Sequence, residues 1–179
     1  MTDGPLTAAR ILVFTGPGKG KTTAAMGMAP RAAGHGLRVR IMQFVKSDPT
    51  TGEIAAFRRF DNVSIDQCGL GFVPKPTHPR FAAHREAAGA GLATVANEIR
   101  AGRWDVVVLD ELCVAVAEGL VPEADLLGLL AALPAGMVVA LSGRGATAAL
   151  IEVADTVTEM CCIKHGFDVG WSAQRGVEN

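Results

Sequence analysis

The sequence predicts an α/β fold in which a mostly parallel central sheet carries helices on both faces. Three observations predict it. Short apolar runs alternate with longer helix-like stretches, a glycine-rich loop separates the first run from the first helix, and a later apolar run ends in an acidic pair. Strands covered on both faces read as continuous apolar runs, which is the pattern seen here.

The first run, Ile11-Leu12-Val13-Phe14, reads as a buried strand, and Thr15-Gly16-Pro17-Gly18-Lys19-Gly20-Lys21-Thr22-Thr23 follows it directly. Ala24-Ala25-Met26 then opens a helix. Strand, glycine loop and helix in this order make a phosphate cradle: backbone N–H groups turn inward around an anion and the helix start adds its positive end. Lys21 supplies a mobile charge and the Thr22 hydroxyl a magnesium ligand. Thr15, Gly16, Gly18, Lys19, Gly20, Lys21, Thr22 and Thr23 are therefore the expected nucleotide-binding residues, and the fold is expected to be P-loop NTPase-like. Thr15 stands where the usual pattern has its first glycine.

The helix is expected over about Thr23 to Ala33, ending at Gly34-His35-Gly36, with Pro30 bending or shortening it. Arg38 to Phe44 reads as a strand and Val45 to Glu53 as a loop at its carboxyl end, where parallel sheets place their ligands. Lys46 on that loop is a candidate for phosphate or a ligand carboxylate, although a lone lysine is more often solvated. A short helix, Ile54 to Phe60, and a strand, Val63 to Cys68, come next.

Gly69 to Pro79 holds two glycines and three prolines, which forbid regular structure, together with the apolar Leu70, Phe72 and Val73. Such a loop either folds over the core, the more common case, or covers an apolar ligand. Phe81 to Ala101 reads as a long helix with His84 and Arg85 exposed. The apolar strand from Trp104 to Leu109 ends in Asp110-Glu111, the acidic pair expected beside a phosphate cradle to complete a magnesium shell directly or through water. Pro122 to Leu133 is a helix and Gly136 to Leu141 a strand, which runs into Ser142-Gly143-Arg144-Gly145. Arg144, with a glycine on each side, suits triphosphate or carboxylate groups. A helix from Ala146 to Ala154 and a strand from Thr156 to Ile163 complete the sheet.

With 179 residues, 49% of them hydrophobic, the chain suits one domain, 1–179, with tails at 1–9 and 164–179. Seventeen basic against eighteen acidic residues leave a net charge of −1, so no electrostatic footprint for nucleic acid or an anionic membrane is expected. No apolar run approaches the roughly 20 residues that span a bilayer, and the expected location is the cytoplasm. Cys68, Cys113, Cys161 and Cys162 form no Cys-x-x-Cys pair and are expected to be reduced thiols packed as small apolar groups.

In these motifs the chain resembles the ATP:corrinoid adenosyltransferases of the CobA/CobO/BtuR type. The resemblance runs from Ile11 to about Val177 and rests on Phe14 to Ala25, Gly34-His35-Gly36, Gln43-Phe44-Val45-Lys46, Gly71-Phe72, Val107 to Leu112, Gly143-Arg144-Gly145, Ala154-Asp155-Thr156-Val157 and Lys164-His165-x-Phe167-Asp168-x-Gly170. It implies transfer of the 5′-deoxyadenosyl group of ATP to Co(I) of a reduced corrinoid in cobalamin biosynthesis, with release of triphosphate. It also implies Mg²⁺ or Mn²⁺, a homodimer, and a reductase or flavoprotein that supplies the electron. Residue by residue, Lys21 and Arg144 are implied to offset the triphosphate charge, Thr22 and Glu111 to hold the metal with Asp110 in support, Lys46 to contact ligand, and Phe72 to wall the lower corrin face. Pro74 stands where some members of the family have Trp. The readings that compete are a phosphotransferase or ATPase releasing ADP, and a non-catalytic corrinoid or nucleotide carrier.

Overall fold

A computed structural model describes residues 8–177; Met1 to Thr7, most of the expected N-terminal tail, and Glu178-Asn179 lie outside the described residues. Six strands form one sheet in the order β3-β2-β4-β5-β1-β6, and every pairing is parallel. They are β1 (Arg10–Thr15), β2 (Val39–Gln43), β3 (Val63–Gln67), β4 (Val106–Asp110), β5 (Val138–Ser142) and β6 (Thr156–Glu159). The helices are α1 (Lys21–Ala33), α2 (Gly52–Phe57), α3 (Phe81–Arg100), α4 (Leu112–Ala117), α5 (Glu123–Ala131) and α6 (Ala148–Val153).

Side chains alternate across a strand, so each strand feeds two cores. Ile11, Val13, Met42, Phe44, Val107, Leu109, Val139 and Leu141 pack with α3, α4, α5 and α6 on one face. Ile41, Val106, Val108 and Ala140 pack with α1 and α2 on the other. The continuous apolar runs of β4 and β5 are thereby explained, since neither face meets water; β2 is as buried but carries Arg40, which pairs with Asp66 at 2.7 Å and Glu98 at 2.8 Å.

All six strands stand where the sequence places them. α1 reaches Ala33 as expected, with Pro30 on its exposed side. Three expectations are corrected. The strand expected to Ile163 stops at Glu159, because β6 is an edge strand with all four residues exposed and nothing beyond it to pair with. α4 was not expected: Leu112-Cys113-Val114-Ala115-Val116-Ala117 has no polar face and two β-branched residues, so it carries no helical periodicity. His84 is not exposed but 6% accessible, facing the sheet from the same stripe of α3 as Ala88, Leu92 and Val95.

Candidate active site

The carboxyl ends of β1, β4 and β5 bring the expected residues together. Gly16 and Gly20 take φ of 93° and 109°, in the left-handed region that favours glycine. At Gly18 the reason is space: a Cβ there would lie 2.5 Å from the carbonyl oxygen of Cys161, and the Gly18 N–H donates to the Met160 carbonyl at 2.6 Å. The segment leaving β6 thus clasps the loop. Thr15, in the first-glycine position, ends β1; its Oγ1 accepts the Ala146 N–H at 3.3 Å and so ties the phosphate loop to the arginine loop.

Gly20 caps α1 without a side-chain hydrogen bond, and Ala24 is the first residue to donate back, to the Gly20 carbonyl at 2.8 Å. By helix geometry the N–H groups of Lys21, Thr22 and Thr23 have no intrahelical acceptor, which makes the helix start an anion site. No acidic residue occupies that first turn. Lys21 Nζ bends back to the Gly18 carbonyl. Burial, and then the neighbouring Arg144, push its pKa down against a smaller pull from Glu111. Arg144 Nη2 lies 3.5 Å from the Pro17 carbonyl, on the same cradle. Its loop is seated tightly: a Cβ on Gly143 would meet the Val114 nitrogen at 2.9 Å and one on Gly145 the Ala117 Cβ at 2.9 Å. Lys19 reaches the Val177 carbonyl at 2.8 Å, and Thr23 is exposed on the first turn.

Asp110 is fully buried and fully engaged. Its Oδ1 accepts from Thr22 Oγ1 at 2.8 Å and Ser142 Oγ at 2.6 Å, while Oδ2 accepts from Gln43 Nε2 at 3.0 Å and lies 3.7 Å from Lys46 Nζ. Glu111 differs from it in backbone conformation and in how its carboxylate is partnered. It has a φ of 60°, alone among the described non-glycine residues in being positive, and its N–H donates to Ser142 Oγ at 3.0 Å. Its Oε2 is buried with no hydrogen-bond partner among the described residues. Burial first, and then the charges of Asp110 and Glu53, raise its pKa against the pull of Lys46 and Lys21. An orphaned carboxylate oxygen on the residue next to Asp110, which binds the Thr22 hydroxyl, offers hard oxygen donors of the kind that suit Mg²⁺. No group of three or more His, Cys, Asp or Glu side chains suited to a metal occurs among the described residues. A nucleotide-bound magnesium does not require one, since phosphate and water complete its shell.

Lys46 is not a solvated lone lysine: it pairs with Glu53 at 2.9 Å. Burial lowers its pKa, but Asp110, Glu53 and Glu111 outweigh burial and hold it above the usual lysine value. The 69–79 loop departs from the more common reading. Val73 does pack on the core, but Phe72 is 94% exposed and Leu70 is 51% exposed. Cys113 is buried and Cys68 half-buried, as expected of packed thiols, with burial pushing their pKa up to about 12 and about 11, whereas Cys161 and Cys162 are exposed, against that expectation.

Two residues of the site had no role assigned from sequence. Gln43 is fully buried; it donates to Asp110, and its Oε1 accepts from Gln67 at 2.9 Å. Ser142 bridges Asp110 to the Glu111 backbone. Their signal was a polar residue at the last position of a strand, at the ligand edge of the sheet.

Comparison with known proteins places this chain among relatives. The family model described as ATP:corrinoid adenosyltransferase BtuR/CobO/CobP matches residues 7–179. A corrinoid adenosyltransferase of Pseudomonas aeruginosa is 44% identical over 170 residues, spanning 94% of this chain and 82% of that one. Corrinoid adenosyltransferase CobA of Salmonella typhimurium is 37% identical over 172 residues, spanning 94% and 84% respectively. The solved structure of the flagellar accessory protein FlaH from Methanocaldococcus jannaschii aligns with a TM-score of 0.56 at 11% identity, covering 87% of this chain and 71% of that one, a likeness of fold alone.

Proposed function

The chain belongs to the ATP:corrinoid adenosyltransferase family, and on that premise we propose how its residues divide the reaction. Co(I) of a reduced corrinoid donates its electron pair to C5′ of ATP; the C5′–O bond breaks, its electron pair leaves on the triphosphate, and cobalt becomes an alkylated Co(III). Because cobalt is the nucleophile, the protein's work is to orient the two substrates and stabilise the leaving group. The observation that carries this reading is the cationic cradle, where the open first turn of α1, Lys21 and Arg144 meet at one edge of the sheet.

Thr22 and Glu111 would hold Mg²⁺. The ion would supply positive charge to the triphosphate oxygens as they gain charge. Asp110 supports from behind, since both of its oxygens are already occupied by protein donors and it fixes the Thr22 hydroxyl. Lys46, held by Glu53 and near Asp110, keeps the acidic cluster compact and presents charge at the ligand edge. Phe72 is the apolar wall for the corrin.

The enzyme acts in this reading as a homodimer with an electron-donating reductase. The exposed Ile151 and Val153 of α6 and Val157 of β6 supply apolar area for a second copy beside an unpaired sheet edge. The test of the reaction is ATP carrying carbon-13 at C5′, incubated with Mg²⁺ and a chemically reduced corrinoid. The label is expected on cobalt, and label found only in ADP would overturn the proposal.

A further inference from the structure

The loop that presents Phe72 also forms a cavity of about 540 Å³, lined by Leu70, Phe72 and Pro74 together with Lys75, His78 and Arg80. Apolar groups therefore share one cavity with three basic side chains, and among the described residues no acidic one lines it, in a chain whose net charge is −1. Lys75 and Arg80 are exposed, and among the described residues neither forms an ion pair.

The three side chains belong to one knitted turn. The His78 N–H donates to the Lys75 carbonyl at 2.9 Å, the Phe81 N–H to the His78 carbonyl at 2.9 Å, and the Arg80 N–H to His78 Nδ1 at 3.1 Å. Since Nδ1 accepts, the His78 ring carries its proton on Nε2 and presents a donor there. The turn runs into the long helix α3, which begins at Phe81, so the backbone that carries Lys75 and Arg80 is tied to one rim before any ligand arrives. Cations without partners, on a fixed rim and around an apolar floor, match a molecule that is apolar in its body and anionic at its edge.

We propose that Lys75, His78 and Arg80 form a subsite for an anionic oxygen substituent on the periphery of the corrinoid. This rests on the corrinoid reading above and deepens it: the ring lies against Phe72 and its neighbours, and the basic rim reads the periphery. The substituent is either a carboxylate of an incompletely amidated corrinoid or the phosphodiester of a completed one. The rim thus discriminates against corrinoids whose edge is wholly amide.

The test is equilibrium binding of three corrinoids, all as Co(II), to wild type and to the Lys75→Gln/Arg80→Gln double variant, each shown to keep its thermal unfolding midpoint. Cobyrinic acid a,c-diamide carries carboxylates, cobalamin carries the phosphodiester, and cobinamide carries neither. The double variant is expected to lose about tenfold in affinity for one or both anionic corrinoids and less than about twofold for cobinamide. Raising salt from about 0.05 M to about 0.5 M should weaken anionic binding in wild type more than in the variant. Loss for carboxylates alone assigns a precursor, and loss for the phosphodiester alone assigns the complete corrinoid. Equal losses for all three, or none, would overturn the subsite, whereas a wild type that binds none of the three would overturn the corrinoid function on which it rests.

Discussion

Thr22 Oγ1 donates to Asp110 Oδ1 at 2.8 Å, joining the first turn of α1 to the end of β4. The hydroxyl hydrogen is thereby committed, so the oxygen's lone pairs are what it offers to a ligand. The same carboxylate accepts from Ser142 and Gln43, so three strands and a helix meet on one buried anion.

Replacing Asp110 by Asn puts an amide donor where one of these donors needs an acceptor. Asp110→Asn is expected to cost about 1–3 kcal/mol of unfolding free energy. Turnover should fall on the order of 10²-fold as the Thr22 hydroxyl loses its orientation. Urea denaturation checks the first effect, and unchanged stability would show that the network is not cooperative.

Lys21→Ala and Glu111→Gln act on the reaction rather than the fold. Each is expected to lower kcat on the order of 10²-fold or more. Neither residue is part of the apolar core, so circular dichroism and the unfolding midpoint should stay close to those of wild type. Two folded variants turning over within a few-fold of wild type would refute the site assignment.

Phe72 is 94% exposed, so its loss should change stability by no more than about 0.5 kcal/mol. An apolar wall that excludes an axial ligand matters most when cobalt starts as Co(II). Phe72→Ala is expected to slow adenosylation severely when a protein reductase must reduce enzyme-bound Co(II), and far less when Co(I) is supplied chemically. The ratio of the two rates is the measurement. Equal loss in both would leave Phe72 without a role in ligand removal.

At the opposite edge of the sheet, Arg38 grips Asp105 through Nη2 at 2.7 Å and Nε at 3.1 Å, and this hydrogen bonding holds the Asp105 pKa below the usual carboxylate value. A depressed folded pKa means that the unfolded chain takes up its proton first as pH falls. The stabilisation is present above the unfolded value and is lost as pH drops through the folded one. Asp105→Asn should therefore lower the melting temperature at neutral pH, with the gap closing in acid and narrowing in salt because the pair is exposed. A gap independent of pH would contradict this.

The centre of the sheet was legible because β4 and β5 are apolar on both faces, and the cradle because glycine spacing, Lys21 and the acidic pair are local signals. α4 was not legible, since a short helix buried all round has no period to read. Gln43, Ser142 and the burial of His84 were not legible for another reason: the first two depend on Asp110 and Glu111, 31 or more positions away, and the third on packing across the sheet. Phe72 was legible as an anomaly, an aromatic residue in a glycine-proline loop, while its exposure depended on how that loop leaves the core.

Product analysis is the most direct test of the central claim that the cradle stabilises a departing triphosphate. Purified protein is incubated with ATP, Mg²⁺ and chemically reduced corrinoid, and the phosphate products are resolved by phosphorus NMR. Intact triphosphate is expected in equal amount to a new light-sensitive Co–C bond. ADP released as the main product, whether or not corrinoid is present, would contradict it.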